Sequence, residues 1–140
     1  MKKDKKNGKK LVFAIEVFPY NQECVVVVNG HIDDAILFLK KQKTENANKI
    51  IEHIKDNYED YKNPPEKGCG YLLTELPKAY IMMLTHCDGW IDTVSLVAHE
   101  SLHLTHYILD RAGLTLKPES EEAFTYLQAQ IIRDILKEMY

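Results

Sequence analysis

Several common features are missing from this chain of 140 residues, and each absence narrows what the protein can be. No run of about 18 apolar residues occurs, so we expect no membrane-spanning helix. The N-terminus has no apolar segment followed by small residues, which argues against a secretory signal. The three cysteines, Cys24, Cys69 and Cys87, fit neither a disulfide framework nor a C-x-x-C zinc site. These absences predict a protein of the reducing cytoplasm.

Charge is concentrated at one end of an otherwise ordinary composition. The chain is 45% hydrophobic and 28% charged, which is typical of a globular protein, and we expect residues 11–140 to form one domain. Residues 1–10 contain six lysines and one aspartate, a charge of +5, so the rest carries −8 of the total −3. We predict that residues 1–10 are a disordered tail. We do not expect nucleic acid as a partner, because no aromatic residues alternate with these lysines and the remaining chain is acidic.

Strands and helices alternate irregularly along the sequence. Four segments are rich in β-branched and aromatic residues and predict strands: 11–18, 23–28, 71–76 and 78–85. Helical periodicity occurs at 35–39, 46–58 and 93–113, and again from Pro118 onward. Two prolines and two glycines predict a loop at 60–70. The expected fold class is α+β, with a small, mostly antiparallel or mixed sheet packed against helices.

The segment at 78–85 has two interpretations. It immediately precedes the helix at 93–113, so its edge could pair with an extended peptide substrate. Alternatively, it is a central strand in which Met82 and Met83 fill the core.

The motif that carries chemistry is H-E-x-x-H, formed by His99, Glu100 and His103. Two imidazoles one helical turn apart can both reach one zinc ion. The intervening glutamate is offset around the helix, where a general base for a zinc-activated water would lie. The sequence therefore predicts a Zn²⁺ site with Glu100 as its catalytic residue.

This helix has one narrow polar stripe, and the rest of its circumference is largely apolar. We therefore expect the helix to be mostly buried, with a bound metal satisfying histidines on its buried side. An apolar wall would border the stripe, formed by Leu96, Leu102, Tyr107 and Leu109. The stripe contains Asp92, Ser95, His99, His103, His106 and Asp110.

H-E-S-L-H, followed by a helix carrying E-E-A-F-T-Y-L, resembles the gluzincin branch of the zincin metallopeptidases over about residues 80–136. More closely, the chain is similar to small zincin-like proteins of phages and mobile elements. The resemblance implies a minimal zincin-like domain at 11–140, in which a C-terminal helix supplies the third zinc ligand. That ligand would be Glu122, with Glu121 as the alternative and Glu119 third. A metzincin histidine is excluded, because Leu109 occupies its position.

The function that the resemblance implies is zinc-dependent hydrolysis of a peptide or protein substrate. Asp110 or Ser95 would orient a ligand histidine, and an oxyanion would be stabilised by His106, Tyr107 or Tyr126. The alternative is a non-catalytic, zinc-stabilised binding or regulatory protein of phage or mobile-element origin. A fourth protein ligand, such as His106 or Cys87, would favour that alternative.

Overall fold

A computed structural model describes residues 8–63, 70–85 and 87–140. The predicted tail at 1–10 and the predicted loop at 60–70 therefore lie partly outside the described residues. Cys69 is not among the described residues. In the described part of the chain, no helix combines the length and the apolar character that crossing a bilayer requires.

Four strands form a mixed sheet in the described residues: β1 (Leu11–Val17), β2 (Gln22–Val28), β3 (Tyr71–Leu73) and β4 (Ala79–Leu84). The sheet order is β1-β2-β4-β3. β1 and β2 are antiparallel, β2 and β4 are parallel, and β3 and β4 are antiparallel. The predicted α+β class with a mixed sheet is therefore confirmed.

The strand before the motif helix is a central one. β4 pairs with β2 along all six of its residues, and three of those residues also pair with β3. Met82 and Met83 point to opposite faces of the sheet, and both are buried. The central-strand interpretation is confirmed, and the prediction that residues 78–85 offer an edge to substrate is wrong. The edge strand on this side of the sheet is β3.

The helices are placed close to where periodicity predicted them. The motif helix begins at Trp90, earlier than predicted, because Gly89 is extended and its carbonyl accepts the Thr93 amide at 2.9 Å. The helices are α1 (Ile32–Gln42), α2 (Glu45–Asp56), α3 (Tyr58–Tyr61), α4 (Trp90–Arg111) and α5 (Glu121–Met139), with a short 3₁₀ helix at Pro118–Ser120 before α5.

The sheet separates two layers of helices. Successive residues of a strand point to opposite faces of the sheet. Helices cover both faces, so both sets of side chains of β2 and β4 are buried. One face packs against α4 and α5, through Cys24, Val26, Val28, Tyr80, Met82 and Leu84. The other face packs against α1 and α2, through Val25, Val27, Ala79, Ile81 and Met83. This arrangement fixes the inner side of α4 against the sheet.

A Schellman turn connects α4 to the segment that leads into α5. The Gly113 amide donates to the Asp110 carbonyl at 2.9 Å, and the Leu114 amide donates to the Leu109 carbonyl at 2.8 Å. Gly113 has a φ of 83°, a left-handed conformation that glycine adopts without steric cost. The turn therefore sets the direction in which the chain leaves α4.

We expect Gly113→Ala to lower the free energy of unfolding by about 1 kcal/mol, because a Cβ is disfavoured at this φ. No neighbouring atom lies within 4 Å of the added Cβ, so backbone strain is the whole effect. Chemical denaturation measures the loss. Gly113→Asn is the control and should lose less, because asparagine tolerates this conformation better. Equal losses for both variants would contradict the explanation.

Candidate metal centre

The two motif histidines converge on the outer surface of α4. Their Nε2 atoms are 3.2 Å apart, and the ring centroids are 5.0 Å apart at an interplanar angle of 66°. One helical turn separates His99 from His103, which brings the two rings to the same face of the helix. Both coordinating nitrogens therefore point to one place.

This separation suits a shared metal ion. Zinc binds histidine nitrogen at about 2.0–2.1 Å, so two nitrogens in a tetrahedral site are about 3.4 Å apart. The observed 3.2 Å between the Nε2 atoms of His99 and His103 is close to that value. The donor chemistry of the pair also fits, because imidazole is a common zinc ligand. The two residues can thus supply half of a four-coordinate site.

The polar stripe of α4 faces solvent, so the expectation that its histidines lie on a buried side is wrong. The His99 side chain is 66% exposed, and His103 is also exposed. The apolar side of the helix, including Val97, Leu104 and Ile108, packs into the core. The sheet takes that apolar side because it buries more hydrophobic surface. A metal ion or a substrate can consequently reach both histidines from solvent.

Glu100 is the buried member of the motif. Its side chain is 5% exposed, and its Oε1 lies 4.0 Å from His99 Nε2. Burial raises the pKa of the Glu100 carboxyl, and the neighbouring charges of His103 and His99 act in the opposite direction. A carboxylate with a raised pKa beside two potential zinc ligands is suited to taking up and releasing a proton.

Gly70 forms the wall against which the Glu100 side chain rests. A Cβ placed on Gly70 would lie 2.5 Å from Glu100 Cγ and 2.9 Å from Oε1. These distances are far below van der Waals contact, so only a glycine leaves room for the carboxylate in this position. The backbone just before β3 therefore determines where the carboxylate lies.

The motif residues line a cavity of about 260 Å³ between α4 and β3. Gly70, Tyr71 and Leu72 form the β3 side, and Tyr107 completes the α4 side. The sequence did not predict that Gly70, Tyr71 and Leu72 belong to the site. The available signal was a glycine directly before a strand, which marks a close approach of the backbone as well as a turn.

The other residues predicted to assist the histidines are dispersed. Tyr107 lies in the cavity wall, and its role toward an oxyanion stays a prediction. The His106 ring instead packs edge-on against Phe124, with centroids 4.9 Å apart. Ser95, Asp110 and Tyr126 are exposed and are not among the described residues that line the cavity.

The predicted third ligand is not brought to the histidines in the described part of the chain. Among those residues, no group of three or more histidine, cysteine, aspartate or glutamate side chains is arranged to hold a metal ion. Glu119, Glu121 and Glu122 are exposed at the start of the α5 region. The choice among these glutamates stays a prediction.

The two principal candidates occupy different sides of α5. Glu121 lies two turns before Gln128, whose amide donates to the Ala98 carbonyl of α4 at 3.4 Å. Glu122 lies two turns before Ala129, which lines a separate surface groove with Tyr140. The side of α5 that faces α4 is therefore the side of Glu121.

Comparison with known proteins finds no relative of this chain. No protein-family model matches the chain, no curated protein matches its sequence, and no solved structure matches its fold. Functional inference therefore depends on the site itself.

Proposed function

We propose that this protein is a zinc-dependent metallopeptidase. The observation that carries the proposal is the pair of solvent-accessible Nε2 atoms of His99 and His103, 3.2 Å apart, beside the buried carboxylate of Glu100. Metal-assisted hydrolysis needs ligands that can hold a metal ion next to a general base, in a cavity that substrate can enter. The same three residues belong to the H-E-S-L-H motif, which together with the helix carrying E-E-A-F-T-Y-L resembles the gluzincins.

In the proposed reaction, His99 and His103 would hold the zinc ion. When bound, zinc polarises a carbonyl group and lowers the pKa of a water molecule to about 7. Glu100 accepts the proton of the attacking water and then donates it to the departing amine. The wall formed by Gly70 keeps the carboxylate directed at the cavity, and the Tyr107 hydroxyl is available to donate to the developing oxyanion.

β3 supplies a place for the main chain of a peptide or protein substrate. It is the last strand in the sheet order, so in the described residues its outer edge has no strand partner. Tyr71 and Leu72 of this strand line the same cavity as the motif. An extended peptide that adds to this edge would be held by main-chain hydrogen bonds alongside His99 and Glu100.

For the third ligand we propose a glutamate from the start of α5. Glu122 was favoured on the sequence resemblance, whereas the orientation of α5 favours Glu121, which lies on the side that faces α4. Both residues are therefore tested together.

The metal proposal predicts about one zinc ion per purified chain, measured by elemental analysis. His99→Ala and His103→Ala should each reduce the zinc content to background. His53→Ala is the matched control and should keep the zinc. His53 lies on α2, where its Nε2 is hydrogen-bonded to the Tyr61 hydroxyl at 3.1 Å. Loss of zinc in Glu121→Ala and not in Glu122→Ala would identify Glu121 as the ligand, and the reverse would identify Glu122. Zinc retained by both histidine variants would refute the site.

A second candidate is a non-catalytic binding protein in which zinc would only link α4 with α5. The observation that favours it is the contact of the histidine stripe with α5, where the His106 ring packs against Phe124 with centroids 4.9 Å apart. Zinc binding that raises the melting temperature, in a protein that cleaves no peptide in a diverse mixture, would favour this candidate over the peptidase.

We also propose that the protein works in a reducing compartment such as the cytoplasm. The two cysteines in the described residues, Cys24 and Cys87, are free thiols. Cys24 is fully buried, and burial strongly raises the pKa of its thiol, so it behaves as a core residue without reactivity.

A further inference from the structure

A second cavity lies on the opposite side of the motif histidines from β3. It has a volume of about 410 Å³, within the range of about 300–1,000 Å³ typical of pockets for small ligands. Its walls come from α4, from α5 and from the connection between them. We call it the α4–α5 cavity; its main lining residues are Leu102, Leu116, Pro118 and Phe124, with Lys117 and Glu121 among the remainder.

The α4–α5 cavity begins directly beside the candidate metal centre. Leu102 precedes His103 and follows His99 by three residues, and side chains at such a spacing on a helix are about 5–6 Å apart at Cβ. The His106 ring, which lies on the same polar stripe, packs against Phe124 at 4.9 Å between centroids. The histidine stripe and the α4–α5 cavity thus share a border.

The chemistry of the α4–α5 cavity suits a neutral, apolar group. Leu102 is 41% exposed and Leu116 is 52% exposed, so a ligand there would remove apolar surface from water. The two charged residues of the lining, Lys117 and Glu121, have opposite signs and give the cavity no net charge. The lining therefore favours neither sign of charge, and its exposed leucines favour an apolar side chain.

We propose that the α4–α5 cavity is a specificity pocket, which binds one large apolar side chain of the peptide substrate next to the cleaved bond. This inference rests on the proposed peptidase function. Side chains of an extended peptide project alternately to opposite faces, so a main chain held along β3 directs one side chain next to the scissile bond across α4 and toward Leu102. Substrates with leucine, methionine or phenylalanine at that position are the ones selected.

The preference for an apolar side chain is tested with a mixture of peptides that differ at one position. The zinc-loaded full chain is added, and the products are identified by mass spectrometry. We expect kcat/KM to be about 10- to 100-fold higher for leucine or phenylalanine than for glycine or aspartate at one position flanking the cut. Leu116→Arg should remove most of this preference. Leu114→Arg is the matched control, because Leu114 lies in the same connection outside the described cavity lining, and it should keep the preference.

Binding measured without catalysis separates the two proposals. N-acetyl-leucinamide, added to the metal-free protein, should shift the methyl NMR signals of Leu102 and Leu116, whereas N-acetyl-glycinamide should not. Shifts in a protein that cleaves no peptide would overturn the peptidase function and leave the cavity as an apolar binding site. Cleavage without an apolar preference, in a protein whose methyl signals do not shift, would overturn the specificity pocket and leave the peptidase intact.

Discussion

Glu100→Gln is expected to lower kcat/KM for peptide hydrolysis by about 100- to 10,000-fold while zinc stays bound, because glutamine cannot accept the proton of the attacking water. The zinc content should not change, since His99 and His103 keep their positions on α4. The metal-free variant should be at least as stable as the parent, because a neutral amide costs less to bury than a carboxylate in this 5% exposed position. Kinetics, elemental analysis and thermal melting measure the three effects.

Glu138→Gln makes the same chemical change at an exposed position near the end of α5 and should leave hydrolysis unchanged. If Glu100→Gln retained parental activity with zinc bound, Glu100 would not be the base. If it lost zinc as well, the carboxylate would be holding the metal site together, and the proposed division of roles would be wrong.

Gly70→Ala is expected to reduce turnover by about 100-fold, because displacement of a catalytic group by about 1 Å can cost that much. The added methyl carbon would lie 2.9 Å from Glu100 Oε1, so the carboxylate has to move. The effect should fall on kcat more than on KM, since the β3 edge that would hold the substrate is unchanged. Zinc content should also be unchanged, because both histidines belong to α4.

Gly89→Ala is the matched control for Gly70→Ala. It adds the same methyl group at the start of α4, where no atom lies within 4 Å of the new carbon. Its backbone is extended, so alanine fits there without strain in φ. Turnover should stay near the parental value. Equal losses in the two variants would show that a general loss of stability, and not the position of Glu100, explains the result.

Much of the local structure follows from the sequence because its causes are local. The four valines of β2 are branched at Cβ and favour a strand, and the strand was predicted within one residue of its observed limits. Gly113 ends α4 where the helical pattern stops. The spacing of His99 and His103 is also a local property, since a helix of 3.6 residues per turn brings them together whatever surrounds it.

Predictions failed where they depended on which surfaces meet. The apolar residues around α4 suggested buried histidines, yet the sheet covers only the side of Val97, Leu104 and Ile108 and leaves His99 in solvent. Strand composition could not distinguish an edge from a centre, and only the pairing with β2 and β3 shows that β4 is central. Both outcomes depend on contacts between segments that are distant in sequence.

The sequence by itself therefore determined the α+β class, most of the elements and the histidine pair, because hydrophobic periodicity and helix geometry act over a few residues. The tertiary structure decided that Glu100 is buried, that Gly70 lies against it and that a second cavity borders the histidine stripe. Burial raises the pKa of Glu100, and the residues across the cavity from it, Gly70, Tyr71 and Leu72, belong to a segment distant in sequence. Such an effect arises only when the packed chain excludes water from that carboxylate.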